Sequence, residues 1–188
     1  ASQSLTVNAD NNVDNPNYVP IFSPAAGSEA LDVFHTHFGS EDETKRQGQT
    51  DRISEQAREL RYSSLSSGTT VFTRRSFVRA VDLSQHFNFS FLLFGNADAG
   101  TPDTTADKRF FLRAGADHAF FEIQVPLNFT GWKRITARQV DKTGDQIPDI
   151  WEVGHGPDGT IIVSTGNPSL QQIGQITAGI LSRGNTKN

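Results

Sequence analysis

Phe87-Asn88-Phe89-Ser90-Phe91-Leu92-Leu93-Phe94 is the stretch whose reading decides the fold. Its first half alternates, so Phe87, Phe89 and Phe91 share one face of an extended strand. Its second half is apolar on both faces, as a strand inside a layered sheet requires. Working outward, related patterns recur on both sides. Before it stand Arg58-Glu59-Leu60-Arg61-Tyr62, Thr70-Val71-Phe72-Thr73 and Ser76-Phe77-Val78-Arg79-Ala80-Val81. After it come residues 108–115, 119–126, 131–137, 160–164 and 175–180. Ala116-Asp117-His118 joins the first two of these as a hairpin turn. The chain has 14 Phe but 2 Tyr, which fits half-buried strands around a Phe-rich core. Short strands separated by polar loops, with little helical periodicity, predict an all-β fold. The expected architecture is an antiparallel β-sandwich, jelly-roll-like.

The N-terminal part reads differently. Residues 1–30 are rich in Asn, Asp and Pro, and are expected to be extended and irregular. They form either an arm or a first strand at Tyr18-Val19-Pro20-Ile21-Phe22, which Pro20 would confine to a sheet edge. Residues 39–56 are the most polar stretch, read as a long loop, with a short helix admissible over Asp51 to Leu60. The expected organisation is a loop-rich segment 1–54, packed on the same domain, and a sandwich over 55–188. Near the end, Ser169 is placed to start a short helical turn.

Composition removes several classes. The 188 residues suffice for one domain with a real core. Net charge is −4, and the Lys and Arg are scattered, so nucleic acid is not an expected partner. There is no Cys, hence no disulfide framework and no thiol chemistry. There is no Met even at position 1, so the chain is expected to begin at a processed end. No run approaches the roughly 18 apolar residues of a membrane helix.

The order of the pieces carries a resemblance. Residues 55–62 lead through Val81-Asp82-Leu83-Ser84-Gln85-His86 into the Phe-rich strand. Phe111-Leu112-Arg113-Ala114-Gly115-Ala116-Asp117 and Phe121-Glu122-Ile123-Gln124-Val125-Pro126-Leu127 follow. Thr165-Gly166-Asn167-Pro168-Ser169-Leu170 and residues 173–180 close the series. Over residues 55–181 this succession resembles the repeated sandwich modules of SprA-type cell-surface proteins. That resemblance implies a jelly-roll sandwich similar to carbohydrate-binding modules. It also implies a host protein serving secretion across the outer membrane and gliding motility in Bacteroidetes-type bacteria. One departure is that the family's tyrosine-rich hairpin reads Phe120-Phe121-Glu122-Ile123 here, with the hydroxyls lost.

The sharpest local signal is the run from Asp141 to Glu152. Asp141, Thr143, Asp145, Asp149 and Glu152 fall at positions one, three, five, nine and twelve, with the Ile147 carbonyl at seven. That is the spacing by which a loop surrounds calcium with oxygens and closes on a bidentate Glu. The run resembles the calcium repeats of thrombospondin-type-3 segments. Thr143 stands where an acid is usual, and Gln146 where Gly permits the sharp turn. The same run also reads as an acidic loop between strands that holds no ion.

Other clusters are weaker. Asp98, Asp103 and Asp107, like Asp10 and Asp14, read as solvated acidic loops. His35 and His37 would share one face of a strand, but no third metal ligand is evident. No Gly-x-Ser-x-Gly elbow occurs, and Glu122 and Asp117 are the only thinkable carboxylates for sugar hydrolysis. Glu122, between Phe121 and Ile123, is expected to face solvent, so no catalytic residue is assigned. Sugar binding needs exposed aromatic faces, for which Trp132, Trp151 and Tyr62 are the candidates. Trp132 is expected in the core and Trp151 against the acidic loop.

The sequence therefore predicts a non-catalytic, calcium-stabilised module of a SprA-like envelope protein. It is expected to be extracellular or outer-membrane associated, with other envelope proteins as partners. A carbohydrate-binding module, with glycans as partners, is the alternative.

Overall fold

A computed structural model describes residues 4–11, 56–63, 65–84, 86, 88–96, 106–144, 150–166 and 168–184. They form ten strands in three antiparallel sheets. Strands β1 (Ser4–Asn11) and β2 (Gln56–Ser63) make a two-stranded sheet. The large sheet takes β3 (Thr70–Val81), β5 (Ala106–Ala116), β6 (Ala119–Pro126), β9 (Ile161–Thr165) and β10 (Ile173–Gly184), in the order β3-β10-β5-β6-β9. The third sheet runs β4 (Asn88–Asn96), β7 (Thr130–Val140), β8 (Ile150–His155) in that order.

Strand period decides which side chains meet. On the β5–β6 ladder, Phe110, Leu112 and Ala114 oppose Val125, Ile123 and Phe121 on one face. Ile135 and Ala137 of β7, beside Phe91 and Phe89 of β4, form the answering face of the three-stranded sheet. The two apolar faces close on each other: Phe110, Ile123, Val125 and Ile180 bury with Ile135 and Ala137. Ring centroids of Phe91 and Phe110 lie 5.7 Å apart across this seam, and those of Phe121 and Trp151 6.2 Å apart. The fold is an all-β antiparallel sandwich.

Connectivity follows from that layering. The links β3–β4, β4–β5, β6–β7 and β8–β9 each change sheet, whereas β5–β6 and β7–β8 pair within one. The last strand, β10, lies between β3 and β5. The in-sheet β5–β6 pair interrupts the alternation of successive strands between the two sheets. Across Gly179 the chains approach so closely that a Cβ there would lie 2.8 Å from the Phe111 ring.

Three local expectations change. Gln56 to Leu60 are extended, because β1 offers β2 eight consecutive ladder partners, from Ser4↔Ser63 to Asn11↔Gln56. A short isolated helix has no comparable source of stability. A strand does exist in the N-terminal segment, but at 4–11, where half-buried Leu5 and Val7 alternate with exposed Ser4 and Thr6. The expected strand at Tyr18–Phe22 lies outside the described residues. Residues 150–152, read as the end of the acidic loop, open a strand over Ile150–His155 that pairs with β7. Leu60, Tyr62 and Leu65 pack against the inter-sheet core, so the small sheet covers part of it. Ser169 does cap a turn: its hydroxyl accepts from Gln171 N at 3.3 Å at the start of a 3-10 helix over Leu170–Gln172.

Ile135 is wholly buried and Val78 wholly exposed. Ile135→Ala is expected to lower unfolding free energy by about 2–5 kcal/mol in urea titration. Val78→Ala should stay within about 0.5 kcal/mol of the parent.

Candidate functional site

The sandwich presents three places with chemical content: the Asp141–Glu152 run, the outer face of the five-stranded sheet, and a cavity between the sheets.

The run begins where β7 ends. Asp141 Oδ1 accepts from Gly144 N at 2.6 Å and from Thr143 Oγ1 at 3.2 Å, forming a side-chain-closed turn. Gly144 has φ 81°, the left-handed conformation that Gly adopts without steric penalty. Glu152 is not at the loop mouth. Val140 pairs with Ile150 and Arg138 with Glu152, so Glu152 sits two residues along β8, about 7 Å down the strand. There its Oε1 lies 2.8 Å from Lys142 Nζ. This Lys142 hydrogen bond, with the nearby charge of Arg138, holds the Glu152 carboxyl below its ordinary value of 4.5. The described donors thus satisfy one another: Thr143 donates to Asp141, and Lys142 occupies Glu152. Asp145, Ile147 and Asp149 lie outside the described residues. Among the described residues no three His, Cys, Asp or Glu gather to hold a metal.

The outer face corrects the reading of Glu122. This side chain is 3% exposed rather than solvated. Arg113 Nε donates to Glu122 Oε2 at 2.8 Å, and Gln124 Nε2 donates to Oε1. Arg183 in turn donates to Gln124 Oε1. The Arg113 guanidinium lies over the Phe120 ring, 3.8 Å from its centroid, and 5.5 Å from that of Phe111. Burial follows because Phe111 and Phe120 share this face with Glu122, and Arg113 lies across them. Asp117, the other carboxylate considered for hydrolysis, is paired to Arg74. Each of the two carboxylates is therefore committed to its own arginine. The sequence showed polar Glu122 and Gln124 alternating with Phe121, Ile123 and Val125. It did not show that β5 and β10 bring two arginines beside them.

The three aromatic candidates separate. Tyr62 packs against the core, with Lys108 Nζ 5.9 Å from its ring centroid. Trp151 also packs against the core, facing Phe121. Trp132 was expected in the core but lies on the opposite face. Ile135 and Ala137 point inward on β7, so Trp132 and Arg134 point outward by strand parity. There Trp132 meets Phe94 edge-on at 5.2 Å. His35, His37, Asp14, Asp98 and Asp103 lie outside the described residues.

The cavity, about 400 Å³, opens at one end of the seam between the sheets. Phe89, Leu112, Phe121, Ile123, Trp151 and Ile176 contribute to its wall, with exposed His86, Asn88 and Ser90 where it meets solvent. Trp151 Nε1 is buried with no hydrogen-bond partner.

No helix among the described residues is long and apolar enough to cross a membrane. No family model, no curated protein and no solved structure matches the chain.

Two measurements check this geometry. Arg113→Ala leaves the buried Glu122 without its ion pair and should cost on the order of 3 kcal/mol by urea unfolding. Glu122→Leu together with Arg113→Met should recover much of that loss. A carboxyl-carbon NMR titration should place the Glu152 midpoint below 4.5 and return it upward in Lys142→Ala. The sign follows from the lowered value: this pair stabilises the fold above about pH 4.5, and that contribution is lost as pH falls through the depressed midpoint.

Proposed function

We propose that this chain is a non-catalytic β-sandwich module of a SprA-like envelope protein. In this reading it is displayed on the outside of a bacterial cell and binds envelope proteins along strand β3. The observation that carries the reading is the edge of the large sheet. Among the described residues β3 pairs only with β10. That ladder covers Thr70 to Ser76, then shifts register and resumes at Val81. Phe72 is 51% exposed, Val78 fully and Val81 38%. A long edge strand with apolar side chains in water is a template for strand addition. Arg74, Arg75 and Arg79 along the same strand disfavour pairing with a second copy and favour an acidic partner strand. The ordered motifs over residues 55–181 support the SprA-like assignment and, with it, the extracellular setting.

A photo-crosslinking residue at Val78 is expected to give discrete adducts with envelope proteins on intact Bacteroidetes-type cells. The same residue at Asp158, on an exposed turn, should give none. Equal labelling at both positions, or none at Val78, rejects the β3 interface.

Calcium has a narrower place in this reading, as a tie for the Asp141–Glu152 loop, with Asp145 and Asp149 supplying charge. To bind through Glu152 it must displace Lys142. Calorimetry on the chelator-stripped chain should then give a dissociation constant on the order of 10⁻⁴–10⁻³ M, the range of extracellular modules. Lys142→Ala should tighten it and Asp145→Ala abolish it. No heat at millimolar calcium removes the ion from the proposal.

The carbohydrate-binding alternative is favoured by one observation, the outward Phe94–Trp132 pair. Phe111 and Phe120, also on an outer face, are covered by the Arg113 network, which argues against a sugar platform at those two rings. Glycan-array binding that disappears in Trp132→Ala would replace the protein-partner reading.

A further inference from the structure

We infer that the partner of β3 is an acidic strand whose two carboxylates stand four residues apart and bracket an apolar residue. This rests on the β3 reading above and names the partner's chemistry.

β3 carries three Arg and no Asp or Glu, on a chain whose net charge is −4. The three cations are not equivalent. Arg74 is taken: it pairs with Asp117, donates to Thr177 Oγ1 at 3.4 Å and lies 5.4 Å from the Phe72 ring centroid. Arg75 and Arg79 are exposed. Among the described residues no ion pair, side-chain hydrogen bond or ring contact engages either of them. An anionic partner therefore finds its two open charges at Arg75 and Arg79.

Strand alternation sets their arrangement. Arg75, Phe77 and Arg79 share one face, with Ser76 and Val78 on the other. Phe77 is half-buried between the two cations, and Val78 is fully exposed. Positions four apart on an extended strand are separated by about 13 Å. Carboxylates four positions apart on a paired strand keep that spacing, so each meets its Arg across the ladder. Along a helix the same four positions rise only about 6 Å, and one acid would miss.

The backbone favours the same occupant. The ladder to β10 stops at Ser76 and resumes at Val81. Among the described residues Phe77 to Ala80 thus have no strand partner on either side. An added strand brings alternating donors and acceptors to them, whereas an anionic sugar or head group would answer only the charges. A second copy of β3 would set Arg against Arg with no acid to relieve it.

The antiparallel complement can be written position by position. Glu faces Arg79 and Arg75, Val faces Val78, Phe77 and Phe72, and Ser or Thr fills the rest. A fluorescein-labelled peptide Glu-Val-Val-Ser-Glu-Ser-Thr-Val, titrated with the full chain, should show saturable anisotropy. Replacing both Glu by Gln should weaken binding by about two- to tenfold, the yield of two exposed pairs. Moving the second Glu by one position puts the acids on opposite faces and should cost as much. In the variant Arg75→Gln with Arg79→Gln, the Glu and Gln peptides should bind alike; both sites are exposed, so its circular dichroism should stay native. A Gln or shifted peptide that binds the unaltered chain as tightly overturns the acidic pattern and leaves the β3 edge standing. Dimerisation of the chain that the Glu peptide does not reverse overturns it in favour of a second copy. No saturable binding at millimolar peptide also overturns it, and crosslinking at Val78 then decides separately whether β3 is an interface.

Discussion

The contact between Phe91 and Phe110 across the seam is the interaction on which the other features depend. It clamps the three-stranded sheet onto the five-stranded one where both are apolar, and Ile135, Val125 and Ile180 pack around it. Hydrophobic burial needs such a facing surface, because neither sheet can hide its apolar side alone. Once the sheets are closed at this end, their separation is set for their whole length. Ala114 and Ala137, farther along, then cannot reach each other, and the cavity is the result. One constraint therefore produces both the closely packed part of the seam and its hollow part.

The outer face of the large sheet uses a different device. Phe111, Phe120 and Thr177 are buried there although they point away from the seam. The Arg113–Glu122 pair and its extension through Gln124 to Arg183 lie among these rings. The aromatic surface is shielded by charged side chains lying flat, with polar ends matched in hydrogen bonds. Contrast this with β3, where Phe72 and Val78 keep their exposure. The two treatments sit on one sheet. The shielded centre is braced, and the edge keeps its apolar side chains exposed among the described residues.

Much of the fold was legible because strand period is a local property. Asn88 to Phe94, the β5–β6 hairpin and the Ser169 turn each follow from residues near in sequence. What was misread involved a partner distant in sequence. Gln56 to Leu60 follow β1, more than forty residues away, and not their own helical signals. Glu122 is buried beside Arg113 across the β5–β6 ladder, and Gln124 links it to Arg183 of the distant β10. Trp132 looked like core because it is large and lies in a strand, yet only the inward setting of Ile135 fixes its side. The Asp141–Glu152 spacing is a pattern along the chain. The β7–β8 ladder moved Glu152 down a strand and gave it to Lys142, a register no spacing rule contains.

By itself, then, the sequence determined that the chain is an all-β sandwich with a Phe-rich core. Alternation of apolar and polar side chains dictates which backbone period buries the former. Only the tertiary structure decided which carboxylates are paired, which aromatic faces outward and where the sheets fail to meet. Those outcomes depend on strand order and register, which arise when segments far apart in the chain are brought side by side.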